Sequence, residues 1–500
     1  MPSDAVTAAP PAPAGTSSGA GLARNALYLL IGQAATLALG FVFNGFVAKI
    51  GVEGYGLYFL INSFASFALV LVDWGTQFFG IREVAREPER GGELLGTSLV
   101  LRAAGGVLVA LPTGIAAWAL GYDRRTILYS VAFLAASIPL FVSQSYGMVF
   151  RGRDRMDLDA AVSVANRAAG VLLVLLGLFA LHRGLGSVIA VQGIAGLVAL
   201  GLAVWLHRQV ATGRLHFSRA AARQLLAGGT AIVAMTVAVY VQPYVDAVLL
   251  SKMVPQEALG WYGAAKNFMG QLLAPALIVG TAAYPRLSRA SRDPAAFRAE
   301  VALAQRPMLW LGGLASVGTW LFADVAIDIF ELLAHDRAGQ YRQAGIILKV
   351  FGLGLFLTFV DILLGTALTA LGRARAFAVA KVGNLVLAVG LELLLIPYFQ
   401  ARTGNGGLGV TVAGVLAEVV IFVSVLLLMP RGSVGVAIFL DGARALASAL
   451  GTFLVLTLLP SVTPWVGIPL CIAVFVVLSA AVGLVRRGDL AVFRAMFRRG

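Results

Sequence analysis

Lys266 follows Tyr262 by four residues and is flanked by Asn267, with Gln271 a turn further on, so a polar stripe runs down one face of a mostly apolar segment. A buried cation with amide neighbours suits a phosphate-bearing headgroup, because an uncompensated negative charge does not enter hydrocarbon. The competing reading of Lys266 is a side chain that snorkels to the headgroups from near a helix end. Arg102, Arg167, Lys349 and Lys381 offer the same chemistry inside other apolar runs, and Asn384 shares the face of Lys381 at i+3. Asp361, with Thr358 three residues before it, is the best candidate for a proton or cation carrier; its alternative is a structural pair with a lysine on a neighbouring helix. Gln242 and Asp246 share a face around Pro243, whose missing N–H frees the carbonyl of Val239 and favours a kink, as a gate would need. Asp73 and Gln77 form an i,i+4 polar pair, readable as a structural tie or as part of a gate, and Glu392 and Glu418 sit in consecutive apolar runs where they are placed to bind one cation together. Ionisable groups at bilayer depth are expensive unless they meet a partner, a cavity or the interface, so each of these is a functional candidate.

Covalent chemistry finds little support. The four histidines, His182, His207, His216 and His335, lack metal-ligand spacing, and no serine lies in a nucleophile-elbow pattern. Cys471 is the single cysteine, which excludes an internal disulfide and a multi-cysteine metal site. No Gly-rich loop ends in Gly-Lys-Ser/Thr, so no nucleotide site is expected. No cofactor is implied beyond a coupling proton or sodium ion.

The elements that must position these residues follow from composition. With 500 residues, 59% hydrophobic and 12% charged, the chain has too little charge to solvate a globular exterior, and lipid must be its solvent. Its formal charge of +14 would suggest nucleic acid in a soluble protein; here the basic residues sit in short loops between apolar runs, where anionic headgroups and membrane orientation account for them. A span needs roughly 20 residues to cross about 30 Å of hydrocarbon. Fourteen are expected: residues 25–48, 58–80, 103–122, 126–150, 158–181, 184–206, 224–245, 267–285, 308–330, 346–371, 377–399, 409–428, 436–459 and 465–485. The last two come from one uncharged run of 41 residues between Arg444 and Arg486, split by Pro460, Pro464 and Gly467 into a hairpin.

With the N-terminus inside, 25 basic residues fall in cytoplasmic segments and 8 on the opposite side, which favours both termini inside an inner membrane. Residues 1–20, rich in Ala, Pro, Ser and Gly, read as a disordered tail with no signal-peptide core. The connections near 208–223 and 286–306 are basic and read as solvated linkers or as contacts for anionic lipid or cargo headgroups. The spacing of Gly92 and Gly96 reads as packing.

The second span is entered through Gly54-Tyr-Gly56-Leu-Tyr58, and about 204 residues later Gly260-Trp-Tyr262 precedes the eighth; both helices end at basic exits, Arg82 to Arg86 and Arg286 to Arg289. The offset equals six spans, so two repeats share one orientation, as in parallel transporter repeats with substrate held at their interface. The resulting organisation is an all-α integral membrane protein of two six-helix lobes plus two C-terminal helices: tail 1–20, N-lobe 21–208, linker 209–222, C-lobe 223–430, final pair 431–485 and basic tail 486–500.

Gly51-Val-Glu-Gly-Tyr-Gly-Leu-Tyr58 and Asp73-Trp-Gly75, then Asp246, Gly260-Trp-Tyr262, Tyr284-Pro-Arg-Leu-Ser288, Asn384, Leu395-Ile-Pro-Tyr398, Gly406-Gly-Leu-Gly409 and Glu418, resemble in order and spacing the polysaccharide flippases of the multidrug/oligosaccharidyl-lipid/polysaccharide exporter superfamily. The resemblance covers roughly residues 20 to 430. Glu392, where such proteins usually carry a neutral residue, and the long loop Gln400 to Asn405 depart from the pattern. The resemblance implies a lobed bundle in the bacterial inner membrane that moves a lipid-linked oligosaccharide, commonly on undecaprenyl pyrophosphate, to the periplasmic leaflet. That cargo would be an O-antigen (lipopolysaccharide), capsule or exopolysaccharide unit, and a polysaccharide polymerase and glycosyltransferases would be its partners. The alternatives are a flippase for the peptidoglycan lipid precursor, a multidrug exporter, a membrane-embedded glycosyl or phosphoglycosyl transferase, and an inert scaffold. A transferase would need acidic residues clustered at one membrane face, and the dispersal of Asp73, Asp246 and Asp361 opposes it.

Overall fold

The computed structural model describes residues 19–178, 184–210, 212–334, 339–459 and 463–485. The two tails, apart from the first turn at Gly19–Ala20, and also His182, His335 and Pro460 lie outside the described residues. Among those described the regular structure is helical. The first lobe comprises α1 (Gly19–Val47), α2 (Val52–Asp73), α3 (Thr76–Arg86), α4 (Gly91–Ala119), α5 (Arg124–Gly152), α6 (Met156–Leu173) and α7 (Leu185–His207). The second comprises α8 (Arg219–Tyr240), α9 (Gln242–Met253), α10 (Gln256–Leu272), α11 (Ala274–Ala290), α12 (Pro294–Ala334), α13 (Arg342–Ala370), α14 (Ala374–Thr403) and α15 (Gly407–Leu428). Helices α16 (Ala437–Leu458) and α17 (Pro464–Ala481) pack on α12.

Twelve segments among the described residues are long and apolar enough to cross a membrane. The two further expected spans, 224–245 and 308–330, are helical within α8–α9 and α12 but stand outside those twelve. The two helices of the expected hairpin, α16 and α17, pack on each other, and Pro464 opens α17, where its missing N–H costs no helical bond.

Several spans are broken by backbone chemistry. Trp74 (φ 46°) and Gly75 (φ 71°) take left-handed conformations in succession, which ends α2 and restarts the chain as α3. Pro243 opens α9, and the chain breaks from α8 at Val241, as its ring requires. The eighth span breaks at Leu273, beside Pro275, between α10 and α11. The two bent spans Val52–Arg86 and Gln256–Ala290 each have 35 residues and stand 204 positions apart at both ends. The internal repeat therefore extends from a few letters to the whole shape of two helices.

The repeat also brings its equivalent residues together. A Cβ on Gly56 would meet the carbonyl of Gln256 and, at 2.9 Å, the nitrogen of Gly260; a Cβ on Gly260 would strike the carbonyl of Val52. Helices α2 and α10 thus cross backbone to backbone at glycines 204 positions apart, which places a pseudo-twofold axis through that contact. Around it Tyr55 stacks edge-on against Phe330 and Tyr341 (centroids 5.6 and 5.9 Å), Tyr341 donates to the Ala48 carbonyl (3.2 Å), and Trp261 donates to Gln340 (2.7 Å). One continuous apolar cluster, including Phe43, Tyr55, Ile61, Tyr262, Phe330 and Phe351, unites both lobes here.

At the opposite, arginine-rich end the packing divides. Val84, Met148, Phe150 and Leu225 belong to one cluster, and Leu287, Phe297, Leu364 and Val425 to another. Helix α8 packs with the first lobe there, since Gly75 and Gly229 approach within backbone contact and Gly228 faces the Phe79 ring. The linker that follows α7 is not merely solvated. Residues 212–216 lie against Gly92 and Gly96 of α4, where added Cβ atoms would meet the carbonyls of Arg214 and His216 at about 2.6 Å, and the Ser218 amide donates to Thr97 (3.1 Å). The glycine spacing is packing, with the linker as its partner.

Candidate functional site: three buried charge clusters

Helices α9, α10 and α14 build the first cluster. The polar stripe of α10 turns Tyr262 and Lys266 toward Asp246, which accepts from the Tyr262 hydroxyl (2.9 Å) and from Lys266 Nζ (3.3 Å). Lys266 also approaches the Tyr262 hydroxyl (3.2 Å) and lies over the Tyr262 and Phe351 rings. The lysine therefore faces the interior rather than the headgroups, because the carboxylate and two ring faces replace part of its hydration. Glu392 of α14 is fully buried, within hydrogen-bonding reach of Asp246 and within electrostatic reach of Tyr262 and Lys266. Two carboxyl groups share one lysine. In a medium where an unpaired charge is costly, the excess negative charge must be met by a proton or a cation.

The second cluster repeats this stoichiometry on α13, α14 and α15. Asp361 accepts from Lys381 (2.5 Å), and Glu418 lies within reach of Asp361, Lys381 and Thr358. The lysine alternative to a free carrier at Asp361 is thus realised, and the second acid beside the pair went unread in the sequence. The expected pairing of Glu392 with Glu418 does not form. Each belongs to a different cluster, because the 11 residues from Lys381 to Glu392 carry α14 about 16 Å along its axis. Those residues lie on one face, where Asn384 and Ala388 complete a buried stripe and Asn384 Oδ1 is unpartnered.

The third cluster sits at the α2–α3 break. Arg102, fully buried on α4, donates to Asp73, to Gln77 (2.7 Å), and to Gln144 and the Phe141 carbonyl of α5 (both 3.1 Å). Asp73 and Gln77 were expected as an i,i+4 pair on one helix. They lie instead on either side of the break, and it is the guanidinium fork that joins them. Arg102 is correspondingly held by four acceptors, and its Nε has no hydrogen-bond partner among the described residues. Beside it a cavity of about 180 Å³ is lined by Asp73, Phe78, Arg102, Gln144, Val233 and Thr236, between the first lobe and α8.

The remaining candidates are dispersed. Lys349 pairs with Asp324 of α12 (2.5 Å), and half-buried Arg167 of α6 lies in the electrostatic surroundings of Tyr58. Asn267 accepts from Asn44 of α1 (3.4 Å), which in turn accepts from Tyr55 (3.3 Å), and so bridges the lobes. Gln242 is half-buried and makes no side-chain hydrogen bond among the described residues, while its expected partner Asp246 is committed to Lys266. Sequence reading missed Gln144, Tyr262 as a hydrogen-bond donor, and Asn44. Their signal, single polar residues in apolar runs, was present but acquires meaning only from partners on other helices.

The fold is shared with solved structures of transporters, two of them described as of the MOP superfamily. The structure of the lipid II flippase MurJ in an inward closed conformation superposes with a TM-score of 0.69 at 14% identity, covering 91% of this chain and 98% of that one. An inward-facing multidrug-resistance MATE transporter gives 0.67 at 14% identity, covering 80% and 97%. A MOP-superfamily transporter from Pyrococcus furiosus gives 0.58 at 15% identity, covering 86% and 96%. At such identities these likenesses concern the fold. A sequence comparison with curated proteins finds no match. The family itself is shown by sequence: residues 22–291 match the model described as polysaccharide biosynthesis protein, and the chain belongs to that family.

Proposed function

We propose that the protein is a flippase that carries a lipid-linked oligosaccharide, an undecaprenyl-pyrophosphate-borne O-antigen, capsule or exopolysaccharide unit, from the cytoplasmic to the periplasmic leaflet of a bacterial inner membrane. The observation that carries this reading is the sequence match to the polysaccharide biosynthesis family across both bent spans. The division of the apolar core supports alternating access: one cluster joins the lobes at the Gly56–Gly260 end, while at the arginine-rich end the first-lobe cluster, which takes in α8, is separate from the cluster of the remaining second-lobe helices. With both termini cytoplasmic, that is a conformation closed toward the periplasm.

In this reading the N-lobe and C-lobe rock about the glycine contact, and no covalent bond is made or broken. Lys266, with Lys381, Lys349, Arg167 and Asn267, supplies positive and polar groups for the pyrophosphate, while the Asp73–Arg102 pair holds the gate helix α3. Asp246 with Glu392, and Asp361 with Glu418, exchange a proton or sodium ion; loading them releases the lysines to the cargo. The partners are the assembly's glycosyltransferases and polymerase.

The test is leaflet transfer of a fluorescent undecaprenyl-pyrophosphate oligosaccharide in proteoliposomes, with and without proton or sodium gradients. Wild type should transfer it, Lys266→Ala should not, and Asp361→Asn should lose gradient dependence. Absence of transfer by wild type would sink the reading. A second reading, transfer of the peptidoglycan lipid precursor, is favoured by the superposition on the lipid II flippase and is separated by offering that lipid in the same assay.

A further inference from the structure

The arginines at the two lobes' cytoplasmic ends are not alike. In the first lobe five of them are met by carboxylates: Arg82 and Arg86 by Glu83, Arg90 by Glu87 and Glu93, Arg151 by Asp159, and Arg155 by Asp157. Around the elbow between α15 and α16, residues 429–436, the balance is different. Arg298 of α12 donates to the Gly432 carbonyl, and Arg373, between α13 and α14, donates to the Leu428 carbonyl at the end of α15 (2.8 Å). Arg306 and Arg444 converge on Asp441, on Oδ2 at 3.2 Å and Oδ1 at 2.9 Å. Arg431 is exposed on the elbow itself, with no partner among the described residues.

Asp441 is buried and Gln305 approaches its Oδ2 as well (3.4 Å), so this carboxylate serves as an internal anchor. Five arginines from α12, the α13–α14 turn, the elbow and α16 therefore surround one loop, and among the described residues Asp441 is the carboxylate that meets them. Two are fixed to main-chain carbonyls, which absorb hydrogen bonds but no charge. The N-terminus of α16 opens at the same place with Val436 at its cap and no side-chain cap, adding the positive end of a 22-residue helix. Immediately beside this charge the surface is apolar and open, with Leu427 81%, Val436 83% and Phe439 56% exposed. Charge above and hydrocarbon surface below match an amphiphile whose headgroup is anionic.

We propose that the α15–α16 elbow binds the headgroup of an anionic glycerophospholipid of the cytoplasmic leaflet, its acyl chains lying along Leu427, Val436 and Phe439. This site stands apart from the cargo path between the lobes, and it fastens the α16–α17 pair to α12.

The test uses the full chain in detergent, titrated with phosphatidylglycerol and read by native mass spectrometry. Three proteins are compared: wild type, Arg298→Gln/Arg431→Gln, and Arg289→Gln/Arg292→Gln, which removes the same charge from the last turn of α11 and the turn after it. Each headgroup-facing arginine contributes about 5-fold in affinity, so the elbow pair should weaken the tightest lipid site about 25-fold and the control pair less than about 2-fold. If Arg298→Gln lowers thermal stability, Arg431→Glu, which breaks no hydrogen bond or ion pair among the described residues, is substituted and should weaken binding at least about 5-fold. Equal losses in both pairs would reduce the site to diffuse surface charge, and equal binding of phosphatidylcholine would remove headgroup recognition. Saturation of the elbow by millimolar inorganic pyrophosphate, with protection equal to that of the lipid, would assign the site to a free anion; each of these three outcomes overturns the proposal.

Discussion

Gly260→Ala adds a single methyl group at the point where α10 crosses α2, and its consequence is calculable. The new Cβ would fall well inside contact distance of the Val52 carbonyl, a rigid main-chain atom that no rotamer change removes. Relief requires the two helices to separate by about 1 Å, which forfeits a quarter to a half of the dispersion energy at each contact along the crossing. Overpacking of this kind costs about 1–3 kcal/mol. The cost falls only on a conformation in which the lobes meet here, so the equilibrium should shift toward one in which they part at this contact by about 5- to 150-fold. In a Cys471→Ala background, a cysteine replacing Asn267, which bridges to Asn44 between the lobes, reports this through labelling by a membrane-impermeant maleimide. Gly260→Ala and its repeat partner Gly56→Ala should both accelerate labelling, and Gly270→Ala, whose Cβ would meet nothing within 4 Å, should leave the rate unchanged. An unaltered rate in folded Gly260→Ala would refute the glycine contact as the closing surface of a two-state gate.

Other consequences follow from particular contacts. Asp441→Asn leaves Arg306 and Arg444 without their shared carboxylate; breaking a buried pair costs about 3–5 kcal/mol, and a fall in thermal stability should be restored by also removing Arg444. Arg102→Met and Asp73→Asn should each destabilise, and their double variant should lose less than the sum, by about 1–3 kcal/mol in a double-mutant cycle. Asp123, in the turn before α5, accepts from the Thr126 hydroxyl and from the amides of Arg125 and Thr126; the hydroxyl bond, then the amides, hold its carboxyl below the ordinary 3.8. A depressed carboxylate stabilises above its unfolded value and loses that contribution as pH falls through the folded one. The difference in unfolding temperature between wild type and Asp123→Ala should therefore be present at pH 7 and shrink below about pH 4.

Helices, their approximate ends and the internal repeat were legible because lipid demands long apolar runs with internally satisfied backbones. Pro243, Pro464 and the Gly56–Gly260 echo carried real structural information, since proline and glycine act locally. The breaks at Trp74–Gly75 and Leu273 were not read. A left-handed tryptophan has no signature of its own and persists only where surrounding contacts impose it, here including the Trp74 Nε1–Thr230 bond (3.2 Å). The charged residues were likewise found one by one, while their groupings were not. Glu392 was paired in expectation with Glu418 because they are neighbours along the chain, yet the interior pairs it with Asp246, 146 positions earlier.

What the amino acids determine by themselves is therefore the solvent of this protein, its helical class, its doubled plan and its family, all of which depend on composition and local periodicity. What tertiary structure alone decides is which lysine answers which carboxylate, and that each of the two central clusters holds one acid more than its lysine balances. It also decides that the two copies of the glycine motif face each other. A helix sets the direction of its side chains, but only the packing of helices distant in sequence supplies their partners, and in a low-dielectric interior the partner determines what a charge can do.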